Sequence, residues 1–174
     1  MKQRWIWMVA MALASLCLIG GCAGGAQPTA GNGLTHDDLT FSIGNQTTAL
    51  DADAAALTDA LGPALSFSQT PSAVASGDDQ IYVYAHMTLC TYPSEDGHRV
   101  GEIILTDATY ATARNIRVGA LQSEVVAAYG TDYTLSDGVL TYTYASSGDL
   151  LYFELDAEQR VQTIHALSAQ SIGE

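Results

Sequence analysis

From Leu39 onward the chain is written in short runs of two periods. Residues 39–43 (LTFSI), 80–85, 88–92, 99–105, 140–144, 151–155 and 160–167 carry apolar side chains at or near every second position. That is the period of a strand with one buried face. Two stretches break the rhythm. Residues 50–62 and 116–130 space Leu57 and Leu61, and Leu121, Val125 and Tyr129, as one stripe of a helix. Each ends on a glycine, Gly62 or Gly130, which stops the helix. Asp51 or Asp53 is the expected N-terminal cap of the first helix. Gly44-Asn45, residues 93–97 (PSEDG), Asp137-Gly138 and residues 146–149 read as turns.

The two helical stretches correspond. Leu50, Leu57, Leu61 and Gly62 match Val118, Val125, Tyr129 and Gly130 at a constant offset of 68. Ile81, Tyr82 and Tyr84 match Thr141, Tyr142 and Tyr144 at 60, and Arg99, Val100 and Ile103 match Arg160, Val161 and Ile164 at 61. The pattern predicts an α+β chain of two tandem units, residues 39–108 and 109–168, each a helix plus an antiparallel β-meander. Residues 169–174 are left as a tail.

Residues 1–21 begin with Lys2 and Arg4 and continue through an apolar run from Trp5 to Ile19. About 15 apolar residues fall short of the roughly 20 a spanning helix needs, so this reads as a secretory signal. Its end, Ile19-Gly20-Gly21-Cys22, resembles a bacterial lipobox. The small residues let a peptidase approach the bond, and the Cys22 thiol would carry the lipid. Residues 22–38 open with AGGAQPTAGNG after Cys22 and read as a flexible tether. The expected location is extracytoplasmic, anchored to a cell membrane by acylated Cys22.

Charge narrows the partners. All 19 acids follow residue 22, and Arg99, Arg114, Arg117 and Arg160 are the bases there, a net charge of −15. Such a surface repels nucleic acid and anionic headgroups. Cys17 and Cys22 belong to the leader and its end, so Cys90 has no partner for a disulfide and reads as a buried thiol.

Candidate chemistry is sparse. Asp37, Asp38, Asp51, Asp53 and Asp59 invite a calcium reading, but their spacing does not match an EF-hand loop, and capping explains them better. No metal or cofactor motif is present, and His36, His86, His98 and His165 lie in no catalytic motif. Enzyme activity is not expected. Tyrosine is the most suggestive residue type. Tyr142 and Tyr144 share a face with Leu140 and are expected in the core, whereas Tyr152 alternates with Phe153 and is expected to face out. Tyr82, Tyr84 and Tyr152 are the candidate binding residues of an exposed aromatic patch; packing within the sheet is the other reading of them.

The run Gly119…Val125…Tyr129-Gly130, with a meander closing on Arg160-Val161-x-x-Ile164, resembles two related groups. These are the outer-membrane assembly lipoproteins of the SmpA/OmlA (BamE) type and the β-lactamase-inhibitor-protein-like modules. The resemblance spans roughly residues 39–167. Ala120-Leu121 stand where those families usually have a Ser or Asp cap, and Ser123 is the nearest substitute. The resemblance implies helices packed on one face of an antiparallel sheet; it carries over no functional residue. The expected function is non-enzymatic binding of a protein partner at the cell envelope. The alternative is binding of a small ligand, a divalent cation or a cell-wall fragment.

Overall fold

The computed structural model describes residues 33–173. A 3-10 turn, His36–Leu39, leads into a hairpin of β1 (Thr40–Ile43) and β2 (Gln46–Ala49). Helix α1 (Ala55–Leu61) follows, then β3 (Ser66–Pro71), β4 (Asp78–Val83), β5 (Met87–Ser94) and β6 (Gly97–Leu105). Helix α2 (Gln122–Tyr129) precedes β7 (Thr134–Ser136), β8 (Val139–Thr143), β9 (Leu150–Leu155) and β10 (Val161–Leu167). A second 3-10 turn, Ala169–Ser171, comes last.

Strands β3 to β10 form one antiparallel sheet in the order β3-β4-β5-β6-β10-β9-β8-β7. The expectation of an α+β chain made of two tandem helix-plus-meander units is therefore corrected. Among the described residues the chain is mostly β, with one eight-stranded sheet beside the β1–β2 hairpin and two α-helices of seven and eight residues. The reason lies at the centre. Strands β6 and β10 are the long, apolar ones, and left as edges they would expose unpaired backbone groups. They pair with each other instead, Ile164 opposite Leu105 and Ala166 opposite Ile103. That pairing merges the apolar positions of the central strands β5, β6, β10, β9 and β8 into one layer, while the edge strands β3 and β7 stay exposed. Helices this short add a stripe to that layer and make no core of their own.

One face of the sheet carries the core. Leu89, Ile103, Leu105, Leu140, Tyr142, Leu151, Phe153, Ile164 and Ala166 are fully buried on it. Leu57 of α1, Val125 and Tyr129 of α2, and Phe41 and Ile43 of the hairpin close over them in the same cluster. Isolated bridges pin the start of each helix to the sheet, Asp53 to Arg99 and Leu121 to Arg160. At the far end of α2, Gly130 turns the chain with φ +86°, and its carbonyl accepts from the Tyr142 hydroxyl at 2.9 Å. Asp53, not Asp51, caps α1: its Oδ1 accepts from the Ala55 N–H at 2.9 Å. Asp51 has φ +61° and is held elsewhere, by the hydroxyls of Tyr92 and Ser168.

Other boundaries shift. Residues 46–49, unassigned by the pattern, form β2; residues 70–79, read as a loop, are partly strand, because β3 runs to Pro71 and β4 starts at Asp78. Residues 116–118 form no strand. No helix among the described residues is long and apolar enough to cross a membrane.

Candidate binding face

The face of the sheet opposite the helices carries the alternate residue of every strand. Across its centre the register sets Ile81 beside Cys90, Cys90 beside Glu102, Glu102 beside Leu167, and His165 beside Tyr152. Apolar Ile81, Val83, Ile104, Val139, Leu150 and Leu167 on this face are half-buried, whereas Ile103, Leu105, Leu140, Leu151 and Ala166 beside them on the other face have no exposure. At one end the C-terminal 3-10 turn packs onto this face, with Ser171 beside Gly101.

A polar cluster stands in the middle of this face. Tyr152 of β9 stacks on His165 of β10, with ring centroids 4.3 Å apart and planes at 14°. Glu102 Oε1 on β6 accepts from the Tyr152 hydroxyl at 3.0 Å and faces His165 Nδ1 at 2.9 Å. His165 Nε2 lies 3.0 Å from the Thr163 hydroxyl, which donates to Glu154 Oε2 at 2.7 Å. Thr163 gives its one proton to Glu154. Burial, the Glu102 charge and the hydrogen bond to it push the Tyr152 phenol above its usual range. Each member of the cluster has a partner, with Glu102 Oε2 left over, and together they set a polar plate into an apolar band.

Next to it, burial first, then Glu102 and Asp79, push the Cys90 thiol up to about 12. It is protonated at neutral pH and is no thiolate nucleophile. Against an ordinary value of 9.0, its alkylation by iodoacetamide at pH 8 should run about a thousandfold slower in the folded chain than in urea. Mass spectrometry of the Cys90 peptide reads this; labelling at the unfolded rate would place the thiol in water instead.

The three tyrosines expected to share a patch are not together, and that expectation is corrected. Tyr152 is on the uncovered face. Tyr82 is on the helix-covered face, opposite Leu89 and 4.9 Å from the Phe67 ring, with its hydroxyl on Gln80 Oε1 at 2.6 Å. Tyr84 packs against the core from the same side, its hydroxyl buried without a hydrogen-bond partner. The break is one of phase: Tyr82 and Tyr84 alternate with Ile81 and Val83, which take the open face. Tyr142 is fully buried and Tyr144 half-buried against the core. Cys22 lies outside the described residues.

The pattern did not single out Glu102 or His165. Their signal was present all the same: each is an ionisable residue between two aliphatic or small ones, in VGEII and TIHAL, in a strand otherwise apolar. The acids read as caps are spread out. Asp38 pairs with Arg114, Asp51 with two hydroxyls, and Asp53 with α1. Among the described residues no three His, Cys, Asp or Glu side chains converge as metal ligands. No protein-family model, curated protein or solved structure matches the chain.

Proposed function

We propose that the chain is an extracytoplasmic lipoprotein, tethered to a membrane through acylated Cys22, that binds a protein partner with the uncovered face of its sheet. One observation carries the reading. A broad sheet face with half-exposed Ile104, Leu150 and Leu167 around the ordered Tyr152–His165–Glu102 plate is left without a covering layer among the described residues. Aliphatic side chains beside an aromatic ring are enriched at the centres of protein interfaces, and the polar groups among them, Glu102 and His165, are already hydrogen-bonded to each other. The lipobox-like end of the leader supports the tether, and the resemblance to BamE-type and inhibitor-type modules points the same way.

The test is capture from a cell-envelope extract with the full chain in detergent micelles, compared with Tyr152→Ala and Ile104→Asp. The wild type should enrich a defined protein, and the two face variants should lose it at least tenfold. Enrichment of nothing, or equal enrichment by all three, would sink the binding reading. Cys22→Ser should abolish incorporation of labelled palmitate and release the chain from membranes; unchanged labelling would refute the anchor. The acidic surplus favours a second reading, a small cation or cell-wall fragment as ligand. A rise in melting temperature with such a ligand, and no protein captured, would select it.

A further inference from the structure

Strand β6 bulges where Cys90 pairs with Glu102 and the next residue, Thr91, pairs with Val100, leaving Gly101 as the extra residue. The C-terminal turn folds back onto that bulge. The Ser168 N–H donates to the Gly101 carbonyl at 2.8 Å, and a Cβ on Gly101 would meet the Ser171 Cβ at 3.0 Å and the Tyr92 ring at 3.2 Å. Glycine admits this approach without any shift of Ser171 or Tyr92. The turn walls off one end of the uncovered face and leaves a hollow of about 180 Å³.

Its lining is unusual in what it lacks. Two carboxylates face it, Asp79 of β4 and Glu102 of β6, above an apolar floor and wall of Ile81, Leu167 and the Tyr92 ring. Asp79 Oδ1 is buried and has no hydrogen-bond partner. Glu102 spends Oε1 on Tyr152 and His165, and no donor among the described residues reaches its Oε2. Among the described residues, Arg99 faces Asp96 and Arg114 holds Asp38. A buried carboxylate oxygen without a donor is a standing cost that a ligand with N–H groups removes. A divalent ion does not fit, because no three ligating side chains converge here.

We propose that this hollow is a socket for the ammonium or guanidinium head of a lysine or arginine side chain presented by the partner protein. The head donates to Asp79 Oδ1 and Glu102 Oε2, and its methylenes lie along Ile81, Leu167 and Tyr92. The volume takes one such side-chain end and no folded element. The chain's own charge argues the same way: with 19 acids and four arginines beyond the leader, the complementary partner surface is basic. The inference rests on the uncovered face being the protein-binding surface.

The experiment is a heteronuclear NMR titration of the full chain in detergent micelles. The probes are N-acetyl-arginine amide, N-acetyl-lysine amide, the neutral N-acetyl-citrulline amide, and agmatine. Saturable shifts at the amides of Asp79, Ile81, Cys90 and Glu102 are expected with the blocked arginine or lysine and not with citrulline. Asp79→Asn should weaken binding at least tenfold, and Ile81→Phe, which fills the hollow, should abolish it with the remaining spectrum unchanged. No saturable shift, an equal response to citrulline, or undiminished binding by Asp79→Asn overturns the socket. Agmatine binding more than tenfold tighter than the blocked arginine overturns a protein side chain as the source. Capture of an envelope protein equally by wild type and Asp79→Asn overturns the socket while the binding face stands. Amine binding without any captured protein overturns the face reading, and with it the partner as the donor.

Discussion

Phe153→Ala is expected to lower the unfolding free energy by about 3–5 kcal/mol, the range for an aromatic side chain removed from a packed core. Phe153 has no exposure, pairs with Ile164 and Leu140, and stands 5.7 Å from the Tyr129 ring and 6.3 Å from the Tyr142 ring. These three rings join α2 to β8 and β9, so the cavity would open between layers where neither can collapse into it. Domains of this size hold about 5–15 kcal/mol in all, so roughly a fifth or more of the stability goes. Tyr142→Phe separates packing from polarity: it keeps the ring and loses the hydroxyl to the Gly130 carbonyl, costing about 1 kcal/mol. Equilibrium urea unfolding checks both; the midpoints should fall with slopes unchanged. A loss below about 1 kcal/mol for Phe153→Ala would mean that the ring cluster is not the centre of the core.

That cluster was legible in the sequence, because alternation carries its own phase. Leu140, Tyr142, Leu151 and Phe153 are alternate residues in their strands, and all four point inward. Tyr82 and Tyr84 show where phase fails. In IYVYA both sets of alternate positions are apolar or aromatic, so the run itself does not say which set faces the helices. Neighbouring strands decide it: Tyr82 is opposite Leu89, and Ile81 is opposite Cys90. Strand pairing is a long-range property that no local pattern encodes.

The joining of the sheet was hidden for the same reason. Each of Val100-x-x-Ile103-x-Leu105 and Ile164-x-Ala166 reads correctly as a strand, yet nothing local to either says that they pair with each other. The polar cluster shows the limit more sharply. Glu102, Tyr152 and His165 are up to 63 residues apart, and three separate strands have to come into register before their side chains meet. Their spacing in the chain carries no trace of this. Only the oddity of a charge inside an apolar strand was available. Cys90, in HMTLCTY, was readable as a strand residue, but its place half-buried on the open face, beside Ile81 and Glu102, comes from the pairing of three strands.

Arg114→Ala should cost about 3–5 kcal/mol, since it strands Asp38 as a buried charge. The side chains of Arg114 and Asp38 are 10 % and 4 % exposed. The guanidinium grips the carboxylate with Nε and NH2, both at 2.7 Å, donates to the Ala128 carbonyl at 2.8 Å, and lies 4.7 Å over the Tyr129 ring. Arg114, 76 residues from Asp38 in the chain, thereby ties the 3-10 turn before β1 to the end of α2. Burial by itself would raise the Asp38 pKa. The Arg114 guanidinium and the N–H and hydroxyl of Thr35 outweigh it and hold the carboxyl below its ordinary 3.8. A depressed carboxyl stabilises the fold only while ionised. The contribution is complete above the unfolded value of about 4 and is lost as pH falls through the lower folded one. Asp38→Asn keeps the shape and removes the charge. The stability gap between wild type and Asp38→Asn should therefore be full at pH 6–7, narrow below about pH 4, and vanish at the acid end. Urea midpoints for both chains across that range read it. A gap that stayed constant with pH would show that the pair acts through packing and hydrogen-bond shape rather than through ionised Asp38.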